Sequence, residues 1–323
     1  MWIRPARLQA LGMLGMNGRN LEFISRYNDR RLYPLVDNKL KTKLLAEEYG
    51  VSTPALQFVV REQHEISHIE DQLKERDSFV VKPAKGSGGK GILVIIGRDG
   101  DQFVKSSGAR VSLSDIRRHM SNTLAGLYSL GGTPDVVLIE DLIAFDDSFR
   151  GYSHEGVPDI RIIVFLGYPV MAMLRLATHA SDGKANLHQG AVGVGLTLND
   201  GSCQNAVQYG EKISNHPDTG NPLDAICIDN WRDMLLLAAR CCEMTGLGYL
   251  GTDLVLDSSR GPQLLELNAR PGLAIQIANG IGLLPRLRHI ESLSTKLHPT
   301  PAQRVDYVME HFAGSASGSA CSV

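Results

Sequence analysis

Asp253, Glu266 and Asn268 have the types and spacing of a hard-cation site. The segments that carry them, GYLGTDLVLD and GPQLLELNARPG, read as two strands turning at Asp257-Ser258-Ser259-Arg260-Gly261. Residues two apart on a strand leave the same face, so Glu266 and Asn268 point together while Leu267 turns to the core. Two neighbouring carboxylates repel unless a cation neutralises them, and an all-oxygen donor set suits Mg2+. The apolar runs LVL and LLEL argue for a buried face rather than a solvated one with scattered polar residues.

A second group lies in VVKPAKGSGGKGI, residues 80–92. Gly86, Ser87, Gly88 and Gly89 open a run that satisfies G-x-G-x-x-G, but ILVII follows as a strand, whereas a dinucleotide fingerprint needs a helix there. The Gly-Lys-Ser/Thr of a phosphate loop is absent. What remains is a glycine flap between two strands, whose backbone N–H groups can close over phosphates, with Lys82 at the end of the leading strand. Lys39 sits in the first turn of a helix predicted over 37–49, with Asp37 as its cap. A cation there opposes the helix dipole, and a phosphate near that terminus explains it.

Further along, Glu140, Asp141, Leu142 and Ile143 leave a buried strand and can offer backbone groups to an adenine edge. Asp159 and Asp147 are candidate acceptors for ribose hydroxyls. Arg161 and Arg175 fall on facing strands of a hairpin expected over 160–177. With Lys184, and with Asn186 and His188 nearby, they form a cationic group able to stabilise a transferring phosphoryl. A structural role is the commoner one for a histidine such as His188.

The elements that must position these groups follow from periodicity and punctuation. Strand–turn–strand is expected over 77–96, a helix over 112–128, a strand over 136–143 and a polar loop or lid over 144–159. A mobile glycine-rich loop is expected over 179–196, a helix over 229–245 and a last helix within 283–296. The 323 residues are 43% hydrophobic and 21% charged with net charge −2, which excludes a basic grip on nucleic acid or an anionic membrane. No apolar run is long enough for a span and no signal peptide is seen, so a cytoplasmic protein is expected. The five cysteines lack zinc spacing and read as reduced thiols.

Taken in order, these pieces resemble the ATP-grasp superfamily. They are most similar to its RimK-type glutamate-ligase branch, whose namesake modifies a ribosomal protein's C-terminus, and to proteins labelled alpha-L-glutamate ligase-like. The similarity runs from Asp37 to Gly282. It is carried by Asp159-Ile160-Arg161, by Asn186-Leu187-His188 followed by Gly190, and by Glu266-Leu267-Asn268 with Pro271-Gly272. The resemblance implies an α+β fold of two α/β lobes whose antiparallel sheets sandwich ATP. It implies a reduced N-terminal helical segment over 1–36, an N-terminal lobe with the flap over 37–140, a C-terminal lobe with the metal site over 141–296 and a tail over 297–323, disordered at its end. Lys39 and Lys82 would hold phosphates, Glu140 and Asp141 would sit at the adenine hinge, and Asp159 would bind ribose. Lys184 and Asn186 would reach the triphosphate, and Arg175 would lie near the γ-phosphate. Asp253, Glu266 and Asn268 would carry two Mg2+ ions, with Mn2+ able to substitute.

The implied function is an ADP-forming carboxylate–amine ligase working through an acyl phosphate on small-molecule or peptide substrates, glutamate or another amino acid among them, in a homo-oligomer. The chain departs from the branch in three places. Only 38 residues precede Lys39, where relatives carry a domain of roughly 90 residues, so that domain's contribution is expected to be missing or supplied by a partner subunit. Arg270 replaces a small residue and could bind a substrate carboxylate. The stretch from Glu140 to Asp159 is longer. Alternatives are an ATP-binding regulatory module without turnover and a ligase for a non-glutamate carboxylate. A kinase-like transferase would need H-R-D and D-F-G, which are absent.

Overall fold

The computed structural model describes residues 5–86, 88–145, 149–153, 156–293, 297 and 299–312. Ser87 and Asp147, and the tail expected to be disordered beyond residue 312, lie outside the described residues. The chain forms two units, one of Asp37–Leu45 and Thr53–Ala144, the other of Met1–Val36, Ala46–Ser52 and Phe145–Val323. Each is built on an antiparallel sheet with helices, an α+β architecture.

The smaller unit holds β1 (Leu56–Val60), β2 (Phe79–Pro83), β3 (Leu93–Asp99), β4 (Gln102–Lys105), β5 (Arg110–Val111) and β6 (Val137–Glu140), in the order β1-β6-β2-β3-β4-β5. The flap joins β2 to β3. Alternation divides each strand between two faces. Phe79, Val81, Ile95, Val137 and Ile139 pack with Ile116 and Met120 of the helix Leu113–Leu124 and with Ile69 and Leu73. Ser112 and Asp115 form a capping box at that helix's start. Leu138 and Ala84 pack with Leu40 of the helix Lys39–Glu48. Asn38, not Asp37, caps the latter helix: its Oδ1 accepts from Leu40 N at 3.0 Å and Lys41 N at 3.2 Å, while Asp37 ends the preceding helical turn Pro34–Asp37.

The larger unit holds β7 (Asp159–Phe165), β8 (Tyr168–Leu176), β9 (Val192–Leu196), β10 (Cys203–Gln208), β11 (Glu211–Lys212), β12 (Tyr249–Asp257) and β13 (Gly261–Asn268), in the order β11-β10-β9-β8-β7-β12-β13. The turn between β12 and β13 is closed by Asp257 Oδ1, which accepts from Ser259 N and Arg260 N at 2.9 Å. The helix Trp231–Thr245 packs on β7, β8, β12 and β13. Ile163, Phe165 and Met173 pack with Phe23 and Ile24 of the N-terminal segment and with Ile275, Leu283 and Leu287.

Three further expectations need correction. The stretch 179–196 is not loop throughout, because Val192–Leu196 pairs with β8 and β10. Residues 297–323 are not simply a tail: Pro301–His311 is helical, started by a capping box of Thr300 and Gln303 with proline in the first turn. The signal Thr-Pro-x-Gln was present in the sequence. Cys203, Cys241 and Cys242 are free thiols, but Cys227 is disulfide-bonded, against the all-thiol reading.

Candidate active site

The ladder of the larger sheet sets the candidate metal residues beside the candidate arginines. Asp253 lies opposite Glu266 on β13 and opposite Arg161 on β7, and Asp159 lies opposite Arg175 on β8. Directly opposed residues share a face, so one polar row crosses β8, β7, β12 and β13. Arg161 grips Asp253 with both ends of its fork, Nε to Oδ1 at 2.6 Å and Nη2 to Oδ2 at 2.5 Å. Arg175 Nη2 donates to the same Oδ2 at 2.8 Å, while its Nε donates to Asp159 Oδ1 at 2.6 Å and its Nη2 also bonds Asp159 Oδ2. All four side chains are nearly buried.

Burial alone would raise the Asp253 carboxyl, but Arg161 and Arg175 outweigh it and hold it down at about 2. Asp159 shifts the other way: burial outweighs Arg175, and the charge on Asp253 pushes in the same direction as burial. A carboxylate offers about four lone-pair sites. Among the described residues, three guanidinium bonds leave Asp253 one open site, on Oδ1. With the Glu266 carboxylate opposite and the Asn268 amide oxygen two residues on, the donors fit a hard cation held by hydrogen-bonded carboxylates. Asn268 Oδ1 accepts Arg270 N at 3.0 Å, which shapes the turn leaving β13.

The smaller unit gathers a second charged group. Lys82 Nζ lies 2.7 Å from Glu140 Oε2, and Lys43 Nζ lies 3.2 Å from Glu140 Oε1. All three are buried. Burial, with Lys82 beside it, lowers the Lys43 ammonium to about 8 although Glu140 pulls the other way. Lys43 also donates to Pro54 O. The sequence reading missed Lys43. The signal was its place four residues after Lys39, which puts both lysines on one helix face.

Lys39 Nζ donates to Gly86 O at 2.7 Å, at the start of the flap. Gly88 and Gly89 have φ of +62° and +74°, and a Cβ at either would meet nothing within 4 Å, so their backbone is open to close approach. Gly91 is different, since a Cβ there would meet the Tyr128 ring at 2.5 Å. After Glu140 the chain leaves the sheet through half-buried Asp141, Leu142 and Ile143; Asp141 N donates to Ala55 O at 3.0 Å and Asp141 Oδ1 accepts from Gln57 Nε2 at 2.5 Å.

Lys184 and Asn186 are not brought to the polar row. Lys184 Nζ bonds Asp182 Oδ2 at 3.0 Å and Asn186 Oδ1 accepts from His188 N at 3.0 Å, all on an exposed loop. Among the described residues neither side chain bonds Arg161, Arg175 or Asp253. Nor does sequence spacing reveal Arg19, Asn28 and Tyr33, which contact the turn after β13.

Solved structures resemble the chain at low identity. The ATP-grasp ligase PsnB complexed with a minimal precursor shares 13% identity, TM-score 0.42, over 81% of this chain and 60% of that one. The chain thus spans 60% of that relative's length. D-alanyl-alanine synthetase A from Vibrio cholerae shares 13%, TM-score 0.46, over 86% and 66%. A RimK domain ATP-grasp protein from Sphaerobacter thermophilus shares 14%, TM-score 0.45, over 81% and 70%. No curated protein matches the chain. A family model described as sugar-transfer associated ATP-grasp matches residues 18–292, a range that contains every strand of both sheets. With so much of its length matched, and with every strand of the polar row inside that range, the chain belongs to the sugar-transfer associated ATP-grasp family and has the ATP-grasp fold.

Proposed function

We infer that this protein is an ATP-dependent ligase that joins a carboxylate to an amine. The observation that carries the reading is the convergence of Arg161 and Arg175 on Asp253, opposite Glu266. A phosphoryl in transfer spreads charge over its oxygens. Guanidinium groups already oriented by carboxylates stabilise that charge with little reorganisation. Mg2+, as two ions, supplies charge neutralisation at phosphate oxygens when bound, and Mn2+ can replace it. Asp253, Glu266 and Asn268 would hold the metal.

In the smaller unit, Lys43 and Lys82 carry one positive charge more than Glu140 cancels, which suits a phosphate group. Lys39 and the backbone of Gly86, Gly88 and Gly89 enclose the phosphates. Glu140 to Ile143 face the adenine, and Asp159 keeps lone pairs for a ribose hydroxyl. In this reading Lys184 and Asn186 reach the triphosphate only once their exposed loop moves toward the polar row. Residues 37–140 act as the nucleotide lobe and 141–296 as the metal lobe. The substrate carboxylate attacks the γ-phosphorus, ADP leaves, and the amine displaces phosphate from the acyl phosphate, with no protein nucleophile. A RimK-like preference for glutamate or another amino acid belongs to this reading, with Arg270 as a substrate contact.

The test supplies MgATP with a panel of carboxylate–amine pairs and reads ADP, phosphate and the product mass. Ligation releases equimolar ADP and amide for at least one pair. Tight ATP binding with no pair-dependent ADP release supports a regulatory module instead.

A further inference from the structure

Three consecutive residues after β13 are each held by a different side chain of the N-terminal segment. Asn28 Nδ2 donates to Ala269 O at 3.3 Å, the Arg270 guanidinium lies 5.3 Å from the centroid of the Tyr33 ring, and Arg19 Nη1 donates to Pro271 O at 2.6 Å. Asn28 also ties the start of β12. Its Nδ2 donates to Tyr249 O at 2.8 Å and its Oδ1 accepts from Tyr249 N at 2.8 Å. One buried amide therefore links the strand of Asp253 to the turn that follows Asn268.

The segment that presents these groups is itself anchored. Arg19–Ile24 is a π-helical turn that buries Arg19, Phe23 and Ile24. Phe23 meets Phe165 edge-on at 5.5 Å, and Gly248 N donates to Tyr27 O at 3.0 Å. Arg270, by contrast, is exposed, and its guanidinium forms no ion pair among the described residues. An arginine stacked on a ring has its orientation set while its donors stay open for a planar anion.

We propose that residues 19–33 form a strap that orients Arg270 to read a second acidic group on the substrate, so that the acid donor is an amino acid with an acidic side chain. Arg19, Asn28 and Tyr33 are then positioning residues and Arg270 sets specificity. The substrate part rests on the ligase reading above; the strap does not.

The experiment has two arms on the full chain. In the first, KM for L-glutamate, L-aspartate, L-glutamine and L-alanine is measured with a common amine, beside KM for ATP. Arg270→Met should raise KM for the acidic donors about tenfold, leave the neutral donors within twofold and leave KM for ATP unchanged. Asn28→Ala and Tyr33→Ala should shift KM for the acidic donors severalfold, and Tyr33→Phe should restore it. In the second, hydrogen exchange of the Asn268, Ala269, Arg270 and Gly272 amides should quicken about tenfold in Asn28→Ala and Arg19→Ala, with β7 unchanged. Tyr33 is only half-buried, so its variants keep the test open if Arg19→Ala does not fold. Unchanged exchange at these amides overturns the strap. An acidic preference that survives Arg270→Met, or KM values for ATP and acid that rise together, overturns the specificity role. A wild type with no donor-dependent ADP release overturns the substrate assignment, while the exchange arm still decides the strap.

Discussion

Replacing Lys43 with methionine isolates the cost of keeping a second ammonium beside Glu140. Lys43 is 7% exposed, and burial with Lys82 nearby lowers its ammonium from 10.5 to about 8. Because the folded value is the lower one, the unfolded chain binds more protons between about pH 8 and 10.5, and stability rises with pH across that window. The full gap corresponds to about 3 kcal/mol, most of which falls between pH 7 and 10. A methionine side chain fills a similar volume and cannot titrate, and the packing change it brings is the same at every pH. Only the difference in pH slope is diagnostic. Calorimetric unfolding of wild type and Lys43→Met at pH 7, 8, 9 and 10 should show the wild type gaining about 2–3 kcal/mol on the variant. A difference that stays within about 0.5 kcal/mol from pH 7 to 10, or one that moves the other way, refutes the reasoning.

Three other outcomes follow from the same geometry. Asp253→Asn removes the carboxylate from two buried guanidinium groups and should cost about 3–5 kcal/mol in urea unfolding followed by fluorescence of Trp231, whose helix packs on this sheet, together with most ADP release. Gly91→Ala meets the Tyr128 ring at 2.5 Å and a φ of +77°, and should lower the Tm more than Gly89→Ala, which meets only the φ strain of about 1–2 kcal/mol. Thr300→Ala removes the cap of the helix Pro301–His311 and should cost about 1 kcal/mol by thermal melting.

The sequence by itself determined the local units. Apolar runs on either side of a turn identified the paired strands of Asp253 and Glu266, glycine spacing identified the flap, and helical spacing identified the elements around Lys39 and Trp231. These features are legible because each depends on residues within a few positions of one another. The capping box at Thr300 was equally local and went unread. The tertiary structure alone decided the partners. Arg161 and Arg175 share Asp253 because β7 lies between β8 and β12, an order that spacing along the chain does not encode. Lys43 meets Lys82 and Glu140 only once the helix Lys39–Glu48 lies on β2 and β6. Asn28 and Arg19 reach Ala269 and Pro271 across more than 240 residues. Hydrophobic periodicity says which face of an element is buried, but the face of one element has no sequence signal for the element that will cover it.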